Sequence, residues 1–189
     1  MSRRAFVAIV RARVYAQRRP MLYACAAALI AGIVAPAGLP ALVLLCALLG
    51  FAMALAQSPG VAPHLDLCEA GAPLFGREVA RAKAVVPCLA ATLAALAYVT
   101  GELLAGVHDA PLALPVALAA VLAGTLIALS ATVRRGPSRL LYVLLGATAS
   151  AGAYALAVRS VAGEAVFCAV VAYVALRQYG EALARYDPI

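Results

Sequence analysis

Residues 57–87 read QSPGVAPHLDLCEAGAPLFGREVARAKAVVP, the only long polar interval in the chain. The acids Asp66, Glu69 and Glu78 stand in it among the bases Arg77, Arg81 and Lys83. On either side the sequence is almost wholly apolar. Of 189 residues 66% are hydrophobic and 12% charged, with a mean hydropathy of +1.00. Soluble domains carry roughly 45–50% apolar and about 25% charged residues. Half the usual charge cannot cover a water-facing surface of this size. The composition therefore implies an all-α polytopic membrane protein, and its length fits one transmembrane domain over residues 1–189. The loop at 57–83 is then the place where the membrane part communicates with the cytoplasm.

Upstream of the loop, residues 39–56 and 21–37 form two apolar runs joined by Pro36-Ala37-Gly38-Leu39-Pro40. Each is near the lower limit of roughly 17–25 residues for a spanning helix. They read as two short spans, with a re-entrant hairpin as the alternative. Residues 1–19 form a basic segment in which Arg4, Arg11 and Arg18 share one stripe and Phe6, Val10 and Val14 a neighbouring one. This predicts an amphipathic helix lying at the membrane interface, its long basic side chains snorkelling to anionic headgroups. The alternative is a disordered basic tail that only sets topology.

Downstream, spans are expected at about residues 84–104, 111–133, 140–158 and 161–179. Pro87 and Pro115 fall near helix starts, where a missing N–H costs little. Arg159-Ser160 is barely a turn, so the last two helices could be bent or half-inserted. Six spans with both termini cytoplasmic leave only Arg159 of the fifteen basic residues outside, as the positive-inside rule requires. Shifting the count by one span destroys the pattern. The same rule explains the net charge of +7 without nucleic acid. The expected location is the plasma membrane, the inner membrane of a bacterium.

The chemistry-bearing residues are few. Cys25, Cys46, Cys68, Cys88 and Cys168 show no C-x-x-C spacing and read as small hydrophobes rather than metal ligands. A phosphatidyltransferase would need several aspartates at inner helix ends, and only Asp66 is near. His64 and His108 lie in loops on opposite sides, so no acid–base arrangement forms within the spans. No catalytic, cofactor or metal residues are expected, and no G-x-x-x-x-G-K-[ST] run is present, so any ATP must be bound by a partner chain. Glu102, Arg159 and Glu164 fall at the outer side: either solvated helix ends, or an outer gate in which Arg159 pairs with one of the glutamates. The run Gly146–Ala153 lacks large side chains; it is either a packing face or a conduit lined by Thr148 and Ser150.

As a whole the pattern resembles the permease subunits of type-2 ABC transporters, the type V exporter fold. The resemblance rests on Arg18-Arg19-Pro20 before the first span and on the inner loop after the second. That loop runs Leu65-Asp66-Leu67-Cys68-Glu69, Ala72-Pro73-Leu74-Phe75-Gly76-Arg77-Glu78, then Ala82-Lys83-Ala84. It covers the chain in topology, but in residues only these two segments. The link at Arg159-Ser160 is shorter than the family's, which often places re-entrant helices there. By this resemblance Asp66 and Glu69 match the acidic coupling-helix positions, Pro73 the turn, Arg77 the basic position and Lys83 the lysine. The implied function is an ATP-driven exporter's permease, paired with a second permease subunit and docked on a separate ATPase. Its ATPase-facing residues would be Asp66, Glu69, Arg77, Glu78, Arg81 and Lys83; otherwise these are ordinary topology charges on a solvated loop. So apolar a bundle suggests a hydrophobic or amphipathic cargo. The competing reading is a non-transporting membrane scaffold or accessory subunit.

Overall fold

The computed structural model describes residues 3–37, 39–56, 76–108, 114–134 and 137–184, and every element among them is an α-helix. In chain order these are α1 (Arg3–Val34), α2 (Leu39–Ala56), α3 (Gly76–Leu104), α4 (Leu114–Thr132), α5 (Pro137–Arg159) and α6 (Val161–Ala184). Each of the six helices covers most of one of the six apolar runs. Four contain described stretches long and apolar enough to cross a membrane: 81–104 in α3, all of α4 and α5, and 161–182 in α6. A helix suits such an environment because each backbone N–H and C=O is satisfied within the segment. Asp66, Glu69 and Pro73, with the expected coupling helix, lie outside the described residues.

Two boundaries differ from expectation. The N-terminal segment is not a separate helix: α1 runs unbroken through Pro20. Proline removes one hydrogen bond and crowds the preceding turn, yet no glycine or turn-forming residue beside it offers another path. The helix is also held from one side. Val10, Val14, Gln17, Met21, Ala24, Ala28 and Gly32 recur at three- and four-residue spacing on its buried or half-buried stripe, with Arg13 beside them, and the stripe packs on α3. At 1.5 Å per residue α1 is about 48 Å long, more than the roughly 30 Å of a bilayer's hydrocarbon. The second difference is α3, which begins at Gly76 rather than near residue 84 and includes Arg77, Glu78, Arg81 and Lys83 in its first two turns.

Helices pack on their next-but-one neighbours. The most extensive contacts are α1 with α3, α2 with α4, and α4 with α6, whereas α1 and α2 share no comparable interface among the described residues. Glycines set the first two. A Cβ on Gly32 would lie 2.2 Å from the Tyr98 carbonyl oxygen, and one on Gly101 2.3 Å from that of Leu29. Gly50 meets the Val121 carbonyl at 2.2 Å and Gly124 that of Ala47 at 2.3 Å in the same sense. Without side chains the backbones touch, which suits helix pairs in lipid, where small residues allow dispersion contacts over a large area. α4 is central: residues 123–131 are buried on every face. α5 is peripheral, burying only Gly146, Ala153 and Ala157 and leaving Leu140, Leu141, Leu144 and Tyr154 exposed.

Candidate functional site

Glu102 and Glu164 are the two acidic side chains the fold encloses among the described residues, at 1% and 0% exposure. Neither is the solvated helix end that the sequence allowed. Both lie at one end of the bundle. α4 and α6 run side by side in the same direction, since Ala123 shares a small cavity with Cys168 and Val171 while Ser130 Oγ donates to the Ala175 carbonyl at 2.9 Å. The start of α6 therefore lies where α4 starts and α3 ends.

Glu102 sits in the last turn of α3. That turn closes by a Schellman arrangement: Gly106, at φ 91°, donates to the Leu103 carbonyl and Val107 to that of Glu102, a left-handed cap that glycine takes without strain. The Gly32–Gly101 contact brings the end of α1 against this turn. There the Ala37 N–H donates to Glu102 Oε1 at 2.8 Å, and the Tyr98 hydroxyl, beside the same carboxylate, donates to the Ala35 carbonyl at 2.9 Å. Side chains of α3 thus satisfy two backbone groups that the end of α1 leaves without helical partners. Glu102 Oε2 is buried with no partner.

Glu164 lies in the first turn of α6, just after Ser160, the single non-helical residue between α5 and α6. Ser160 caps the helix, its Oγ accepting from the Gly163 N–H at 3.1 Å, the usual way a hydroxyl satisfies an orphan donor. Glu164 Oε1 accepts from the Cys168 thiol at 3.0 Å, and Oε2 is buried without a partner. Arg159 is exposed and bonds neither carboxylate, so the expected gate pair does not form in this conformation. The four-residue steps Tyr98–Glu102 and Glu164–Cys168 were visible in the sequence, where i and i+4 share a helix face.

The small-residue run divides between two environments. Ser150 borders the cavity shared with Ala123 and Cys168, which at about 10 Å³ is no larger than a single water needs, and its hydroxyl bonds the Gly146 carbonyl. Thr148 is exposed elsewhere on α5 and bonds the Leu145 carbonyl. At the opposite end of the bundle the Arg134 guanidinium stacks 3.5 Å from the centre of the Tyr142 ring, whose hydroxyl donates to Gln178 Oε1. This ties α4, α5 and α6 together. Of the expected ATPase-facing residues, Arg81 is exposed and Lys83 half-buried; the side chains of Arg77 and Glu78 lie outside the described set. No group of three or more metal-ligating side chains occurs among the described residues.

The class these features define is an all-helical protein, four of whose helices are long and apolar enough to cross a membrane, with two carboxylates enclosed at one end. No known family, curated protein or solved structure matches the chain.

Proposed function

We propose that the chain is the permease subunit of an ATP-driven exporter, six-spanning, with both termini in the cytoplasm of a bacterial inner membrane. The observation that carries this reading is the continuity of α3. One helix begins among the bases Arg77, Arg81 and Lys83, passes Pro87 and ends at the Gly101–Glu102 contact with α1. Pro87 lies inside it, at the start of the fourth turn, and does not interrupt it. A rigid rod of this kind transmits a push on the loop to the far side of the membrane, as alternating access by bundle rocking requires. The basic residues remain with the cytoplasmic ends under the six-span topology. The ATPase would be a separate subunit gripping Asp66, Glu69, Arg77, Glu78, Arg81 and Lys83, and a second permease subunit, identical or different, would complete the pathway. The cargo on this reading is hydrophobic or amphipathic.

The test is co-purification from the native membrane. A retained subunit with vanadate-sensitive ATP hydrolysis, lost in an Asp66→Arg, Glu69→Arg double variant, is the expected result. Absence of such a subunit, together with export unaffected by the double variant, overturns the reading in favour of an accessory scaffold.

A further inference from the structure

α1 and α2 follow one another in sequence but splay apart, each held to a different partner. The space between them is a cleft of about 330 Å³, within the range that binds small molecules. Ala27, Ala28 and Ala31 of α1 form one wall, Leu45 and Cys46 of α2 the other, and Tyr98 of α3 the floor. Among the described residues the lining holds no charged side chain. It opens where the exposed Ala27, Ala31 and Leu45 face outward, the side that lipid would occupy. Hydrocarbon is the natural filling for such a space.

The end of the cleft is different. Tyr98 presents its ring to the cleft and its hydroxyl to the Ala35 carbonyl, with Glu102 one turn further along α3. Glu102 also lies close enough to Cys46, on the cleft wall, for the two to interact electrostatically. Its Oε2 is enclosed and has no donor, and Glu102 itself is not among the residues that line the cleft. An aromatic face and an unpaired carboxylate oxygen both attract cations, the more so away from water. Buried carboxyl groups within a bilayer are functional-site candidates by default.

We propose that this cleft binds a single-chain primary alkylammonium amphiphile. Its chain lies between α1 and α2, and its ammonium sits against the Tyr98 ring, donating to Glu102 Oε2 when Tyr98 turns aside. As a statement of the exporter's cargo class this rests on the exporter reading; as a binding site it does not.

The experiment uses the purified chain in phosphatidylcholine nanodiscs with no ATPase, so its outcome is independent of whether the chain exports. A diazirine-bearing dodecylamine is photolysed, and labelled peptides are mapped by mass spectrometry. The expected result is labelling of residues 24–31 and 45–49. Unlabelled dodecylamine should compete about tenfold more effectively than dodecanoate, the margin expected for a cation over an anion beside a shielded carboxylate. Glu102→Gln, which keeps the acceptor for Ala37, should erase that preference, and Ala27→Leu, which fills the open edge, should lower labelling by the diazirine probe. Equal competition by amine and carboxylate in the wild type overturns the site, as does a preference that survives Glu102→Gln. If Glu102→Gln does not fold, the wild-type preference for the amine and a fall in labelling of Ala27→Leu decide the question, and the absence of either overturns the site.

Discussion

Glu102 does two things with one side chain: Oε1 takes the Ala37 N–H, and Oε2 is left enclosed. The first is structural and separable from the second. Glu102→Ala strands a backbone donor at the end of α1, and leaving a buried donor without a partner costs about 1–3 kcal/mol. Glu102→Gln retains an acceptor. The expected outcome is a clear loss of unfolding stability for the alanine variant in detergent and a smaller one for glutamine. Equal stability of the two would mean that the Ala37 bond does not anchor α1. None of this was legible in the sequence beyond the presence of an acid near a span's end. The bond joins residues 65 positions apart, and nothing local in either segment announces the other.

At the scale of elements, the glycines decide which helices meet. Gly101→Ala and Gly124→Ala would each place a methyl within about 2.3 Å of a facing carbonyl oxygen, and the backbones must separate. Overpacking of this kind costs about 1–3 kcal/mol. Gly163 is the internal control, because a Cβ there meets only the Ser160 side chain, at 3.4 Å. Gly163→Ala is expected to be neutral or to gain up to about 1 kcal/mol from helix propensity. Thermal unfolding of the three variants side by side checks the contrast, and a Gly163→Ala as damaging as Gly101→Ala would show that the close approach is not what matters. The sequence marked these helices as apolar but could not say which glycine faced a neighbour. With alanine so frequent, every face of α2 and α4 offered small residues.

For the molecule as a whole, burial is unequal. α4 is enclosed, while α5 and α6 turn most of their circumference outward. If the chain spans the membrane six times, Ser160 faces the outside and Arg139 and Arg177 the cytoplasm. In a background free of native cysteines, Ser160→Cys should react with a membrane-impermeant maleimide in intact cells, whereas Arg139→Cys and Arg177→Cys should react only after permeabilisation. The reverse pattern, or labelling of all three from outside, rules out this topology.

Composition alone determined the class of the fold, because too few charges remain to coat a soluble surface and each apolar run is long enough to be helix. It also placed the helix boundaries of α2, and those of α4 to α6 within a few residues, since glycine, proline and arginine breaks separate the runs. Tertiary structure decided the rest. It made α1 one helix by packing its stripe on α3 across Pro20, and it extended α3 back into the basic segment. It also buried Glu102 and Glu164, which the sequence could place only near helix ends. Periodicity shows where a chain is helical; which faces touch depends on close contacts between distant glycines and alanines. Those contacts leave no signature in a sequence where nearly every position is already small or apolar.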